Sequence, residues 1–325
     1  MDMELASYTS LGFISKTALL ARVSIQVMDL NVATATEAEL VDFCIQRGEK
    51  DALIAGVHGA IVAKVTDSIV VKWGWTVTAA EAAMHEFASK NLDRDIVRVP
   101  QVYRFIQDDS GRGYLFMEYI SGQNLAGLAI DPQNDIISRV AKIVEHLGQI
   151  QAPEQKPGPI GDCGPRGYLW GDDAVRNAFG SVTDLNNWLN RRLTLRNDSV
   201  DLSPYPLVLC HMDLCRRNMI LGEDGKSIYL LDWGHAGFFP RFYEVATLSC
   251  LNPYDGDYEK PLIEDVESLL QLTDDEKRDM QMVHYARAAA LRWSFSDEND
   301  NNDNNEPAFD PAILGTPPPL PTQEV

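Results

Sequence analysis

The stretch 207–234 reads LVLCHMDLCRRNMILGEDGKSIYLLDWG. It gathers His211, Asp213, Asn218 and Asp232, side chains able to take a proton or to hold a hard cation. Two apolar runs of strand composition, 207–210 and 228–231, bracket the first three, a third short run, Met219-Ile220-Leu221, lies between, and Asp232 follows the second run directly. The turn Gly222-Glu223-Asp224-Gly225 folds the run leading to Asp232 back beside the run that follows Asn218. A carboxylate such as Asp213 can orient a hydroxyl group and accept its proton. The amide oxygen of Asn218 and the carboxylate of Asp232 are hard oxygen ligands of the kind Mg²⁺ takes. An acid, an Asn five residues later and a second acid at the end of a later strand together have the order that phosphoryl transfer from ATP uses.

HMDLCRRN followed by LLDWG resembles the catalytic loop and metal-binding Asp of the aminoglycoside-phosphotransferase-like kinases, small-molecule relatives of the protein kinases. The family usually has Gly after the His and often Pro where Arg216 is; here Met212 and Arg216 replace them. Neither change removes a group that the chemistry needs. The resemblance covers residues 35–295 loosely and 207–244 specifically. It implies an α+β, two-lobed protein-kinase-like fold, with a β-rich small lobe over a mostly helical large lobe and ATP with Mg²⁺ in the cleft. His211 is expected to brace the loop by hydrogen bonding.

The bulk composition fits that reading. A chain of 325 residues, 45% apolar, is long enough for two lobes. Its formal charge of −20 leaves no sustained basic face for nucleic acid. Five cysteines without a Cys-x-x-Cys pair argue against a disulfide framework or zinc site and fit a reduced, cytoplasmic setting. No apolar run reaches the roughly 20 residues of a membrane span.

The remaining elements must position the loop. Residues 1–34 read as a variable leader; Lys16 and Arg22 without acids over 5–28 faintly suggest a transit peptide, but Asp2 and Glu4 oppose it. A helix is expected from Thr36 to about Arg47, then strands over 52–57, 60–65 and 69–73. Gly56 and Gly59 in the first hairpin could let backbone approach phosphate. In the family pattern Lys72, at the end of the third strand, grips the α/β-phosphates. The next helix, about 78–91, puts Glu81 some 60° from Met84 on the helical wheel, where it can reach inward, and Glu86 on the far side. Glu81 has two open readings: partner to Lys72, or a capping box with Thr78. Residues 98–106 and 113–120 read as a hairpin, and the resemblance makes the end of its second strand the hinge, with Met117 in a gatekeeper-like place and backbone near Glu118 and Ile120 against adenine.

Beyond the hinge the pattern turns helical. Ile136, Ile137, Val140, Ile143, Val144 and Leu147 form an apolar stripe ending at Gly148. Residues 153–171 are a Pro/Gly-rich loop, and 181–195 a helix that the resemblance places as an acceptor lid. After Asp232 the chain returns quickly to helix, without a long activation segment or Ala-Pro-Glu motif, so a small acceptor is expected, not a polypeptide. His235, Phe239 and Arg241 could line its cleft, with core packing an equal reading for the Phe residues; Asp255, Asp257 and Tyr258 could face the acceptor too, although a solvated loop suits them better. Helices are expected over 259–270 and 274–293, the second capped by Thr273. Residues 296–325, Asn/Asp-rich and then Pro-rich, have the composition of a disordered tail.

The expected organisation is therefore a leader (1–34), a small nucleotide-binding lobe (35–120), a large catalytic and acceptor lobe (121–295) and a tail (296–325). The expected activity is ATP-dependent transfer of the γ-phosphate to a hydroxyl of a small molecule. Asp213 would be the base, Lys72 and Glu81 the phosphate grip, and Asn218 and Asp232 the magnesium ligands. Met117, Glu118 and Ile120 would hold the adenine. The alternative is a weakly active or inactive nucleotide-binding pseudokinase with a scaffolding role. The acceptor and the oligomeric state are not legible.

Overall fold

The computed structural model describes residues 31–47, 55–57, 59–130, 135–170, 178–250, 255–293 and 295. Most of the leader, His58 and the tail lie outside the described residues. The rest is a β-sheet lobe and a helical lobe, the α+β arrangement expected from the sequence.

The sheet lobe contains β1 (Ala55–Val57), β2 (Ala60–Lys64), β3 (Ile69–Gly74), β4 (Val102–Gln107) and β5 (Gly113–Glu118), antiparallel in the order β1-β2-β3-β5-β4. Strand alternation sorts its two faces. Val71 and Trp73 of β3 join Tyr114 and Phe116 of β5 on one face. The helix α1 (Glu37–Arg47) covers that face with Leu40, Phe43 and Cys44. Lys72, between the two apolar residues, projects from the other face beside its cross-strand partner Leu115, which packs with Val77 and Ala82. The second helix, α2 (Ala79–Asn91), lies on this face and buries Glu81, Met84, His85 and Ala88, the spacing of one helical stripe.

The sequence expectation for residues 98–101 needs correction. Instead of extending β4, Arg98 pairs in parallel with Tyr229, donating its N–H to Ile228 O and accepting from Leu230 N–H. Pro100 has no N–H to continue the β4 ladder, so the strand begins beyond it. This crossing ties the chain after α2 to the hairpin that carries Asp232.

In the helical lobe, β6 (Gly122–Asn124), β8 (Met219–Gly222) and β9 (Ile228–Leu230) form one small antiparallel sheet, and β7 (Val208–Cys210) pairs with β10 (Gly237–Phe239). Around them lie α3 (Ile136–Leu147), α4 (Val182–Leu193), α5 (Phe242–Leu248), α6 (Gly256–Leu270) and α7 (Asp274–Arg292). The expected stripe of α3 is buried at Ile136, Val140, Ile143, Val144 and Leu147. Thr273 and Glu276 form a reciprocal capping box on α7. No described helix is long and apolar enough to cross a membrane.

Gly113 marks a close approach between lobe elements. A Cβ there would stand 2.1 Å from Val77 O, just before α2. Gly113→Ala must therefore push β5 away from the α2 entry, and we expect it to lower the unfolding free energy by about 1–3 kcal/mol in urea titration. An unchanged midpoint would show that this approach does not constrain the lobe.

Candidate active site

Lys72 is the meeting point of three elements. From β3 its Nζ lies 2.7 Å from Glu81 Oε1 on α2 and 2.9 Å from Asp232 Oδ1 just after β9. Glu81 is almost wholly buried, at 3% exposure. Burial pulls the Lys72 ammonium down, but the two carboxylates outweigh it and hold its pKa above the ordinary lysine value. Burial raises the Glu81 carboxyl, whereas Lys72 overcomes burial at Asp232 and keeps that carboxylate below its ordinary value. Both readings of Glu81 meet here in part. Its side chain pairs with Lys72, while its backbone N–H donates to Thr78 Oγ1 at 3.1 Å as a one-way cap.

The loop from β7 to β8 is built from buried backbone bonds. His211 Nδ1 accepts from Asp213 N–H at 3.2 Å, so its Nε2–H donates to Leu231 O at 2.9 Å. One imidazole thus spans the loop and the strand leading to Asp232, as expected of a brace. Burial lowers its pKa below the ordinary histidine value. Met212 has φ +63°, a conformation that glycine adopts without cost. That geometry explains why the resembled loops carry Gly at this place.

Glu244 on α5 is the part of the brace that the sequence reading missed. Its carboxylate accepts both His211 N–H and Met212 N–H from the fully buried α5. In the sequence it is one acid in a helix, and only the fold reveals what faces it. Arg216, where the family often has Pro, forks onto Asp255 at 2.7 and 2.6 Å and donates to Leu125 O and Leu128 O.

The hairpin of β8 and β9 sets Asn218 beside Asp232. Leu231 N–H donates to Asn218 O at 2.8 Å, and Gly225 at φ +64° closes the turn. Asn218 Nδ2 donates to Asp213 O at 3.0 Å, which turns its Oδ1 outward. Among the described residues Asn218 Oδ1 and Asp232 Oδ2 have no protein partner. Two hard oxygens without partners are a donor set that suits Mg²⁺, which is ordinarily held by one or two carboxylate or amide oxygens with phosphates and water. No described group of three or more His, Cys, Asp or Glu could hold a metal alone.

The Asp213 carboxylate faces three further side chains. Arg217 Nη2 lies 3.3 Å from each oxygen, Tyr168 OH donates to Oδ1 at 3.4 Å, and His235 Nδ1 is 3.9 Å from Oδ2. Tyr168 comes from the Pro/Gly-rich loop, which crosses between lobes. There Gly158 pairs with Phe238, Ile160 N–H approaches the Met84 sulfur, Arg166 donates to Thr76 O, and Arg287 donates to Tyr168 O. Nothing in the composition of that loop singles out Tyr168 or predicts its contact with Asp213.

At the end of β5, Met117 lies two residues along from Leu115, the cross-strand partner of Lys72, and packs in the same cluster. Glu118 N–H donates to Gln101 O, its side chain accepts from Gln101 N–H, and Tyr119 N–H donates to Ser68 O. Ile120 N–H takes no partner among the described residues. Several acceptor-side expectations fail. Phe239 takes the core-packing alternative, fully buried against Tyr243, while Arg241 is spent on Glu276 and Tyr258 is buried and donates to Leu214 O. Asp255 is occupied by Arg216. Of that group His235 alone comes to Asp213.

The model of the phosphotransferase enzyme family matches residues 76–281, more than half of the chain, and the chain belongs to that family. No curated protein matches it. Among solved structures it is similar to aminoglycoside phosphotransferase APH(4)-Ia (15% identity, 79% of this chain and 90% of that one, TM-score 0.46). It is also similar to a variant of aminoglycoside 2'-phosphotransferase IIIa in complex with GDP (12% identity, 77% and 87%, TM-score 0.47).

Glu244 supplies a test of the loop's support. Burial raises its pKa from 4.5 to about 7, against the two backbone bonds that lower it. The folded state then binds more protons than the unfolded state between those values, so this group's contribution to stability falls as pH rises from about 4.5 through about 7. Urea unfolding of wild type and Glu244→Gln at several pH values should differ by that slope; parallel curves would remove Glu244 as its source.

Proposed function

We propose that the protein is an ATP-dependent phosphotransferase that moves the γ-phosphate to a hydroxyl group of a small molecule. The observation that carries this reading is the Lys72 ammonium held between Glu81 and Asp232, because it joins a phosphate-gripping cation to a candidate metal ligand. Lys72 and Glu81 position the phosphates. Asn218 and Asp232 hold Mg²⁺, which when bound offsets phosphate charge. Met117 lines the adenine side, and the backbone of Glu118 and Ile120 offers it hydrogen bonds. The absence of any long segment between Asp232 and α5 supports a small acceptor over a polypeptide.

In the transfer, Asp213 orients the acceptor hydroxyl and takes its proton. A new bond forms between the acceptor oxygen and the γ-phosphorus. The bond from that phosphorus to the β–γ bridging oxygen breaks, and its electron pair leaves with ADP. His211, Asn218 and Glu244 keep Asp213 in place through backbone bonds.

Asp213→Ala is expected to lower turnover by roughly 10²–10⁴-fold while leaving Mg²⁺·ATP binding intact. Thermal shift with ATP and Mg²⁺, followed by ATP-consumption screening against hydroxylated metabolites, checks both halves. Binding without turnover across a broad screen would favour the pseudokinase reading. Turnover that survives in Asp213→Ala would reassign the base.

A further inference from the structure

In the transfer proposed above, on which this inference rests, Asp213 ends each cycle holding the proton of the acceptor hydroxyl. It must lose that proton before it can act again, and its side chain is only 8% exposed. Most of its neighbours offer no way out. Arg217 Nη2 meets both carboxylate oxygens, but a guanidinium is a donor without a lone pair to accept with. Tyr168 OH already donates to Oδ1 and accepts from Arg217, and burial raises its pKa. The Cys215 thiol is buried, and burial together with Asp213 pushes its pKa up, so it keeps its own proton. His211 is wholly buried with both ring nitrogens engaged, Nδ1 by Asp213 N–H and Nε2 by Leu231 O.

His235 differs from all of these. It ends the short turn Trp233–His235 that follows Asp232, and two residues of the Pro/Gly-rich loop hold its ring. The Tyr168 ring stands perpendicular to it with centroids 5.5 Å apart. Gly167, at φ +104°, lies so close that a Cβ there would be 2.9 Å from His235 Cγ. Nδ1 faces Asp213 Oδ2 at 3.9 Å and is buried without a partner among the described residues. Nε2 has no partner among them either, but it is not buried, in a side chain that is 32% exposed. One imidazole thus has a nitrogen beside the buried carboxyl and a nitrogen at solvent.

The 3.9 Å separation is about 1 Å longer than a hydrogen bond. It fits a ring whose Nδ1 carries the lone pair, because neither that atom nor a carboxylate oxygen has a proton to share. Protonation of Asp213 turns the same two atoms into a donor and an acceptor. Burial pulls the His235 pKa below the ordinary histidine value; Asp213 and Asp232 oppose that fall, and Lys72 and Arg217 add to it. The balance favours a ring with one proton, ready to take a second.

We propose that His235 is the proton relay of the transfer, taking the proton from Asp213 at Nδ1 and releasing one from Nε2 to solvent. The O–H bond of Asp213 breaks as an N–H bond forms at Nδ1, and the imidazolium so formed gives its Nε2 proton to water. The net change is one proton carried from the acceptor hydroxyl to solvent, with nothing oxidised or reduced. Asp213 is left as a carboxylate beside the new phosphate ester, and repulsion between the two favours departure of the product. Water entering the emptied cleft then resets the ring's tautomer. His235 acts through Asp213 and does not touch the phosphoryl group.

Two measurements on the full chain test this. The first needs no acceptor: ¹⁵N resonances of the histidine rings, with His235 assigned by its loss in His235→Gln. Wild type should carry the His235 proton on Nε2. Asp213→Asn, whose amide N–H imitates the protonated carboxyl, should move the Nδ1 resonance to that of a hydrogen-bonded nitrogen. A wild-type proton on Nδ1, or no movement in Asp213→Asn, overturns the relay. The second uses ATP, Mg²⁺ and the acceptor returned by the ATP-consumption screen. Steady-state turnover of His235→Gln should fall roughly 10²-fold, the low end for a positioned proton-transfer group, with both KM values within about twofold of wild type. Quenched flow should show a burst of ADP stoichiometric with enzyme, since the first transfer precedes the relay, and added imidazole should speed His235→Ala. Circular dichroism and Mg²⁺·ATP affinity establish that the variants are folded. Undiminished turnover in His235→Gln overturns the proposal, as does a slow enzyme with neither burst nor rescue, or a rise in acceptor KM alone; each leaves the phosphotransferase reading standing. A wild type that binds Mg²⁺·ATP and phosphorylates no acceptor overturns that reading instead.

Discussion

A buried ammonium is unstable without partners, and Lys72 is stable because two carboxylates from distant parts of the chain converge on it. Removing one member of a buried pair typically costs about 3–5 kcal/mol, since the remaining charge stays desolvated. Alternation within β3 sends Lys72 to the α2 face, the helical stripe of α2 brings Glu81 inward, and the β8–β9 hairpin delivers Asp232. A register shift of one residue in β3 would turn Lys72 toward the apolar α1 face, where no carboxylate in that cluster awaits it. The contact therefore links the orientation of a strand, a helix and a hairpin across both lobes.

The loop bearing Asp213 depends on the opposite device, anions and carbonyls that hold backbone. Met212 at φ +63° costs about 1–2 kcal/mol relative to a glycine there. Complete burial of its side chain returns about 1.5–3 kcal/mol, and hydrogen bonds to the Glu244 carboxylate contribute about 1.5–3 kcal/mol each. The strained conformation is thus over-determined. His211 adds a bond to Leu231 O, so a displacement of the loop disturbs the approach to Asp232 as well.

What could be read from the sequence follows the range of the interactions. The spacing of Asp213 and Asn218, the Gly222–Gly225 turn, the face of Glu81 and the stripe of α3 are local signals, and they carry over into the fold. Arg98 was expected in β4 but bonds to β9, because Pro100 breaks one ladder and nothing local names the next partner. Tyr168 and Glu244 escape the sequence for a related reason. Each acquires its meaning from a residue many positions away, and each has an ordinary local setting. Tyr258 and Arg241 differ in the other direction: Tyr258 is buried with its hydroxyl on Leu214 O, and Arg241 is engaged by Glu276 instead of an acceptor.

The two departures from the usual loop pattern are supported by different contacts. A proline at position 216 would stiffen the turn through its own fixed φ, a purely local constraint. Arg216 instead pins the turn at a distance, to Asp255 at the start of α6 and to the carbonyls of Leu125 and Leu128 after β6. Those pins leave the φ of +63° at Met212 unchanged, and that residue is carried by its own burial and by the Glu244 bonds. The same pins make the loop sensitive to α6 and to the segment after β6, where a proline-stiffened loop would ignore them. Arg216 and Arg217 then divide the work of one turn. The first ties it to the helical lobe with every donor engaged, and the second meets Asp213 and Tyr168 through one nitrogen.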